Sequence, residues 1–363
     1  MRPAWTHTAA TERLGLSIPI IQGPFGGGLS SVALTSAVAE AGGLGSFGAH
    51  HLDADGIAAT ANAIRARTQR PFALNLWLPF EDSEEPTFTR DQYAAHVKAM
   101  QAYFDELDLP PPAMPARYNP RFEDQLEAVI AARPAAFSFV FGVPDERVLD
   151  RCRALGIVTI GTATTVAEAV ALDAAGVDLI VASAFEAGGH RVAFLEAPER
   201  SLIGAMALIP QVVDAVSAPV IAAGGIADGR GMAAAFMLGA AAVQIGTAFL
   251  ACEESGTSEL HRRRLFSSDA TDTALTRVFS GRLARGIRNR LIEESDRLPI
   301  APYPIQNWLM GQLKSAAIAA DRGDLISLWA GQSAPLLVHR ACAPLIEALV
   351  KETTTALRCD CRD

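Results

Sequence analysis

The sequence lacks several features that mark membrane, secreted or nucleic-acid-binding proteins. No apolar run reaches the roughly 20 residues that a membrane-spanning helix requires. The opening residues, MRPAWTHTAATERLG, lack the apolar core of a secretion signal. The net charge of −9 gives no basic excess that would attract nucleic acid or an anionic membrane surface. These absences argue against both kinds of partner.

Cysteines are also few, and they follow no pattern. The five of them show neither the spacing of a disulfide framework nor that of a metal site: Cys152, Cys252, Cys342, Cys359 and Cys361. We interpret the pair Cys359 and Cys361 as part of a tail rather than as metal ligands, and we predict no metal. Reduced cysteines in a cytoplasmic protein are the simplest expectation.

Aromatic residues make up only 7% of the chain, whereas half of it is apolar and a fifth is charged. A chain of 363 residues with this composition can bury a sizeable core. Its length suits two average domains or one large α/β barrel with extensions.

Strand-like apolar runs alternate with Ala-rich segments of helical periodicity, which favours a parallel sheet. We predict eight strands, at 18–22, 43–47, 72–77, 136–141, 157–160, 179–182, 219–223 and 242–245. Eight such repeats within about 250 residues are typical of a (β/α)8 TIM barrel. A doubly wound sheet is the alternative, and it is disfavoured because no GxGxxG follows the first strand.

The repeats stop near Leu250, and the remaining segment is predicted to be helical. We therefore expect a barrel over 1–250, with an insertion of about 79–120 after the third strand. We expect residues 251–363 to form a helical lid packed on the barrel. Within that segment lies a run of arginines at 277, 282, 285, 288 and 290. Such a run is usually a solvated helix face, although at the barrel mouth it would bring positive charge toward a phosphate.

Glycines and small polar residues follow the predicted strands, at the end where TIM barrels carry their active sites. After the sixth strand come Gly188, Gly189 and His190, and imidazole is the side chain that titrates near neutral pH. Gly224 and Gly225 follow the seventh strand, and Gly246 and Thr247 follow the eighth. Loops after the last two strands commonly bind phosphate through backbone amides, which favours a phosphorylated cofactor such as FMN. Ordinary glycine turns are the alternative, and His50 and His51 fit either a helix-entry loop or the site.

Together these motifs resemble the nitronate monooxygenase family of FMN-containing barrels. The resemblance runs from Ile18 nearly to Pro335. The matching segments are PIIQGPFGG, AGGLGSFG, LNLW, EAGGHR, APVIAAGGIADG, VQIGTAFL, SGRLARGIRNR, PYPIQN and WAGQ.

The resemblance implies roles for individual residues. Gln22, Gly23 and Asn75 would flank the flavin ring, and Gly188 and Gly189 would pass close to it. The phosphate would be held by Gly224, Gly225, Gly246 and Thr247. His190 would act as the base near the flavin or as the partner of an anionic nitronate.

The chain departs from the family pattern just before its EAGGH motif. Ser183 and Ala184 stand where the family usually has Gln-Gly, so a short hydroxyl replaces a side-chain amide near the flavin. Val192 stands where a glycine is expected. FMN binding remains the expectation, and the departures leave the physiological substrate open.

The leading hypothesis is an oxidoreductase that oxidises alkyl nitronates or nitroalkanes with FMN and O₂, giving a carbonyl compound and nitrite. An FMN-dependent NAD(P)H reductase of the enoyl or quinone type is the rival within enzymes. A flavin-binding protein without turnover is the alternative of another class. Use of NAD(P)H and the oligomeric state, with a homodimer as one alternative, stay open.

Overall fold

A computed structural model describes residues 3–79 and 88–358 of the chain. Residues 80–87 of the predicted insertion lie outside the described residues, as do Cys359 and Cys361.

The described residues form eleven strands in two sheets. Their bounds are β1 Ile20–Gln22, β2 Gly45–Gly48, β3 Phe72–Trp77, β4 Ala136–Val140, β5 Val158–Ala163, β6 Leu179–Ser183, β7 Gly189–His190, β8 Val220–Ala223, β9 Ala242–Ile245, β10 Thr273–Thr276 and β11 Ala284–Ile287.

The first sheet is a barrel of eight parallel strands in the order β1-β9-β8-β6-β5-β4-β3-β2. A parallel bridge between Ile21 and Leu44 brings its two ends together. There the Leu44 amide donates to the Ile20 carbonyl at 2.9 Å, and the Gln22 amide donates to the Leu44 carbonyl at 2.9 Å. The predicted TIM barrel is confirmed, and the open doubly wound sheet is excluded.

Fourteen α-helices are found in the described residues. They are α1 Ala9–Leu14, α2 Val32–Glu40, α3 Ala54–Arg65, α4 Arg90–Asp105, α5 Phe122–Ala132, α6 Glu146–Ala154, α7 Val166–Ala174, α8 Ala205–Ala215, α9 Gly229–Met237, α10 Thr247–Leu250, α11 Glu259–Leu265, α12 Arg290–Glu293, α13 Ile305–Ala319 and α14 Cys342–Leu357. None of those helices is long and apolar enough to cross a membrane.

Local capping explains where several barrel helices begin. Asp53 accepts from the Gly56 amide at 2.8 Å and caps α3. The cap of α7 is Thr165, whose hydroxyl accepts from the Glu168 amide. The Glu168 carboxylate bonds the Thr164 amide and hydroxyl.

The barrel interior is packed with small and branched side chains, among them Ile21, Leu44, Val181 and Ile221. Helix α1 belongs to the same cluster through Ala10 and Leu14. Since α1 packs across the amino ends of the strands, the open end of the barrel is the carboxyl end.

The segment after Leu250 does not form one helical lid. Helix α14 packs against α9 and α2, so it stands in the outer ring between the helices that follow β8 and β1. The Gly229 amide donates to Glu352 of α14 at 2.9 Å, at a point where a Cβ on Gly229 would collide with that side chain. The barrel thus takes its last helix from the predicted lid region.

Residues between α10 and α14 cover the carboxyl end of the barrel, and they include strands that the helical prediction did not contain. β10 pairs antiparallel with β11, and β11 pairs antiparallel with β7 from the loop after β6. This three-stranded sheet fastens the covering segment to the motif that carries His190.

Candidate active site

A cavity of about 370 Å³ lies at the carboxyl ends of the barrel strands. Its floor comes from strand-end loops, and its roof comes from α13 and from residues near Trp329. The predicted site residues in its wall are Gly23, Asn75, Ser183, Gly188, Gly189, His190, Gly224, Gly225, Gly246 and Thr247.

Gln22 is the predicted site residue that does not border this cavity. Its side chain is fully buried at the end of β1. The Oε1 atom accepts from the Ser46 amide at 3.0 Å, and the Nε2 atom donates to the Gly23 carbonyl. The amide is therefore occupied in holding β1 to β2, and a direct role at the flavin ring does not follow from this geometry.

His190 is held in place by backbone pairing and by aromatic neighbours. As part of β7 it pairs with Ala284 of β11. Its ring lies edge-on to Trp77, with centroids 4.8 Å apart, and 5.4 Å from Trp329. Burial lowers the pKa of His190 to about 3, with a further contribution from the positive charge of Arg282. The imidazole is therefore neutral at physiological pH.

The hydrogen bonds of Ser280 bear on which ring nitrogen of His190 carries the proton. His190 Nε2 lies 2.8 Å from the Ser280 hydroxyl oxygen. That hydroxyl donates to the Arg282 carbonyl at 3.2 Å and accepts from the Arg282 amide at 3.3 Å. All three contacts are satisfied together when Nε2 carries the proton. In that tautomer Nδ1 keeps a lone pair and can accept a proton.

The glycine loop before His190 lies against the roof of the cavity. A Cβ on Gly188 would lie 2.5 Å from the carbonyl carbon of Ala330 and from the Gly331 nitrogen. The Gly331 amide donates to the Thr247 hydroxyl at 2.9 Å, and the Gln332 amide donates to the Glu186 carbonyl at 2.9 Å. Because the roof supplies these donors, the Thr247 hydroxyl keeps its own hydrogen for another acceptor.

One end of the cavity carries four backbone amides that have no bonding partner. Among residues 3–79 and 88–358, no hydrogen bond uses the N–H of Gly224, Gly225, Gly246 or Thr247. Gly224 and Gly225 take positive φ angles of 102° and 73°, which a side chain would disfavour. A Cβ added to Gly246 would meet nothing within 4 Å, so the space in front of it is open. Unbonded amides around such a space form an anion-binding cradle.

Two buried charged residues fix the loop that leads to His190. Arg191 is fully buried, and its guanidinium donates to the carbonyls of Ala184 and Ser201, at 2.7 Å each. Glu168, buried as well, accepts from the Phe194 amide at 2.6 Å. The loop is therefore tied at both ends, which limits how far His190 can move.

Several residues of the cavity wall carried no assigned role in the sequence. Gln244 lies in β9, inside the quoted motif VQIGT, which was the one local signal for it. His50 and His51, which the sequence left open between a helix-entry loop and the site, both line the cavity, and His50 stacks on Trp77 with centroids 4.0 Å apart. Helix α13 contributes Lys314, whose ammonium donates to the Gly27 carbonyl at 2.9 Å. Nothing in the sequence around Lys314 indicated this contact.

The arginine run is neither a solvated helix face nor part of the anion cradle. Arg285 lies in β11, packs over the Phe185 ring at 4.3 Å and donates to the Phe185 carbonyl. Arg282 is buried over Phe141 and Tyr303, at 4.1 and 4.2 Å. The others form ion pairs with acidic partners outside the cavity: Arg277 with Glu199, Arg288 with Asp272, and Arg290 with Glu106 and Glu294.

Sequence comparison gives one family and a set of close relatives. The family model for nitronate monooxygenase matches residues 7–352. The probable nitronate monooxygenase of Staphylococcus haemolyticus is 37% identical over 358 residues, which cover 97% of this chain and 99% of the relative. That of Staphylococcus saprophyticus is 38% identical over 352 residues, covering 95% and 97%.

Solved structures of similar shape include a nitroalkane oxidase and FabK. Nitroalkane oxidase from Streptomyces ansochromogenes has a TM-score of 0.85 and 35% identity, covering 96% of this chain and 99% of that chain. FabK from Thermotoga maritima has a TM-score of 0.73 and 27% identity, covering 97% of each chain.

Proposed function

Since the chain belongs to the nitronate monooxygenase family of oxidoreductases, we propose that it binds FMN at the carboxyl end of its barrel and oxidises small nitronates with O₂. The products would be a carbonyl compound and nitrite. Neutral nitroalkanes would be substrates after loss of a proton. The proposal rests on one observation. The four unbonded amides and the neutral His190 lie in the same cavity.

The chemical character of the cavity fits FMN. The amides of Gly224, Gly225, Gly246 and Thr247 would hold the phosphate, since each offers a donor that nothing else uses. Asn75, fixed by a 3.0 Å bond from its amide to Ser138, and Gly23 would border the ring. Gly188 and Gly189 would let the loop lie close to it. Ser183 lines the cavity at the end of β6, where it leaves more room than a long amide would.

When bound, FMN would supply the two-electron chemistry and the reaction with O₂. The protein would contribute position and proton transfer. His190 would remove the proton from the carbon of a nitroalkane through Nδ1, the atom left free by the bond to Ser280. The low pKa of the ring makes the cationic form scarce, so the structure favours a base over a charged partner for the nitronate. It also makes the ring a weak base, which favours preformed nitronates as substrates.

The roof would exclude water during the reaction. Trp329, Ala330 and Gly331 lie over the glycine loop and border the cavity. Removing bulk water strengthens electrostatic interactions inside a site and prevents side reactions. On this proposal the region 251–341 is part of the active site rather than a separate domain.

A reductase that takes electrons from NAD(P)H is the second candidate, because the sequence left it open as the rival within enzymes. Anaerobic flavin spectra separate the two functions. Bleaching by the nitronate of nitroethane, without bleaching by NADPH, supports the proposal. The reverse result assigns the protein to the reductases. If neither compound bleaches the flavin, the protein binds flavin without either turnover.

A further inference from the structure

Two imidazole rings contact the same indole at the carboxyl end of the barrel. The His50 ring lies within 12° of parallel to the Trp77 ring, with centroids 4.0 Å apart. The His190 ring lies edge-on to Trp77 at 4.8 Å. Both histidines line the cavity that contains the anion cradle. The proposed function uses His190 as a base and leaves His50 without a role.

The position of His50 is fixed by contacts that leave its ring nitrogens free. The side chain of Gln125, buried in α5, donates to the carbonyls of His50 and Leu52, at 2.9 and 2.7 Å. On the other side, a Cβ added to Gly26 would lie 2.3 Å from His50 Cε1, so the ring packs directly on that backbone. The loop after β2 therefore holds the imidazole at the cavity wall.

The two ring nitrogens of His50 differ in their surroundings. Within residues 3–79 and 88–358, neither of them makes a hydrogen bond, and Nδ1 is buried. An N–H that is buried without an acceptor is especially unfavourable, so the proton is favoured on Nε2. Nε2 also lies closer than Nδ1 to a Cβ added on Gly26, at 3.1 against 3.4 Å, and Gly26 lines the cavity.

The His50 ring is neutral at physiological pH. Burial lowers its pKa well below the ordinary value for histidine, and the nearby His51, His190 and Arg282 lower it further. The cavity thus contains two neutral imidazoles whose free atoms differ, namely an N–H on His50 Nε2 and a lone pair on His190 Nδ1. Such a pair suits a substrate that loses a proton from one atom and gains negative charge on another.

We propose that His50 Nε2 donates a hydrogen bond to a nitro oxygen of the substrate while His190 Nδ1 faces the adjacent carbon. As the proton passes from carbon to Nδ1, the C–H electron pair forms the C=N bond and negative charge moves to the nitro oxygens. A donor fixed at those oxygens stabilises the charge as it develops. One nitrogen atom separates the carbon from the oxygens, and hydrogen bonds span about 3 Å. Two rings that each lie within 5 Å of Trp77 are close enough to serve both. This inference rests on the proposed function.

Three replacements of His50 separate its N–H from its shape. His50→Phe keeps a flat ring against Trp77 and removes both nitrogens. His50→Gln places an amide nitrogen near the position of Nε2, and His50→Asn places one near that of Nδ1. None of them removes a side-chain hydrogen bond within the described part of the chain, so the unfolding midpoint should stay close to that of the parent protein.

Binding to the FMN-loaded protein is measured with butanoate, whose carboxylate has the planar, two-oxygen shape of a nitronate. Titration followed by flavin absorbance gives its dissociation constant. We expect His50→Phe and His50→Asn to weaken butanoate binding by about tenfold or more while FMN affinity is unchanged. His50→Gln should bind butanoate more tightly than either. Butanoate affinity at the parent level in His50→Phe overturns the inference, as does a parent protein that does not bind butanoate. An equal loss of FMN affinity also overturns it, because His50 would then contact the flavin.

Kinetics with 1-nitropropane test whether the contact acts during proton removal. His50→Phe should lower kcat/KM for this nitroalkane by about tenfold or more and raise KM for its preformed nitronate. His50→Gln should retain more activity than His50→Phe, and an equal loss in both would overturn a role for the N–H. His7→Phe is the matched control, because His7 is exposed beside α1 at the opposite end of the barrel, and it should change neither substrate. A parent protein that does not oxidise the nitronate is instead a failure of the proposed function, and the butanoate titration still tests His50.

Discussion

The anion cradle makes a sharp prediction at Gly246. This residue joins β9 to α10 with a φ of −97°, so its backbone is not in the left-handed region that favours glycine. A Cβ there meets no atom within 4 Å, and Gly246→Ala should fold as the parent does. The added methyl would project into the open space in front of the Gly246 and Thr247 amides. A phosphate could then no longer approach both of them closely.

The size of the effect follows from the bonds that are lost. Hydrogen bonds to a charged group contribute about 1.5–3 kcal/mol each, so losing two should weaken FMN binding by about 10²-fold or more. Riboflavin carries the same ring without the phosphate, and its affinity should change little. The ratio of FMN to riboflavin affinity is therefore the diagnostic quantity.

The assay is titration of the flavin-free protein with FMN and with riboflavin, followed by flavin fluorescence. Gly231→Ala is the control, because Gly231 lies in nearby α9, does not line the cavity, and would place its Cβ at ordinary contact distances from Ile226. FMN affinity at the parent level in Gly246→Ala would refute the cradle. Equal losses for FMN and riboflavin would instead mean that Gly246 borders the ring.

Three further predictions concern the base, the roof and acid stability. His190→Asn should retain FMN and lower nitroalkane kcat/KM by about 10²-fold or more, with a smaller loss on the nitronate; equal losses across pH would make His190 an anion binder. Gly188→Ala should drive the glycine loop away from Ala330, so that FMN is lost and a protease cleaves the roof faster; unchanged cleavage would contradict the close packing. Burial lowers the pKa of His261 from 6.5 to about 4. Below pH 6.5 the unfolded chain binds a proton on this residue more readily than the folded protein does. The stability of the fold is therefore full above pH 6.5 and falls as the pH drops toward 4. By pH 5 the free energy of unfolding is lower by about 2 kcal/mol. Urea unfolding at pH 7 and at pH 5 should therefore show a smaller difference in this free energy for His261→Gln than for the parent protein. An equal difference in the parent and the variant would mean that other groups cause the loss of stability at acid pH.

The parts of the site that the sequence predicts are those that depend on neighbours in the chain. A glycine that ends a buried strand is recognisable locally, because the strand and the turn are both short. Gly225, Gly246 and His190 could be assigned to one end of the barrel on this ground, since parallel strands bring their carboxyl ends together. Their roles toward FMN remain proposals that the Gly246 and His190 variants test.

The missed parts depend on contacts between distant segments. Trp77 closes one side of the site by stacking on His50, and no periodicity indicates such a pair. β7 has only two residues, and its partner β11 begins at residue 284. The orientation of Gln22, whose role at the flavin stays a prediction, is set by a hydrogen bond from the Ser46 amide that no motif records.

The position of α14 also affects how the chain folds while it is being synthesised. The ring is open between α9 and α2 until residues 342–357 have been synthesised. Some 92 residues separate Leu250 from Cys342, and at about 5–20 residues per second they take roughly 5–20 s to add. During that interval the faces of α2 and α9 that pack on α14 in the finished protein are without their neighbour. A nascent chain of this protein therefore offers a transient binding surface to chaperones, and a ribosome that stalls before residue 342 leaves that surface exposed.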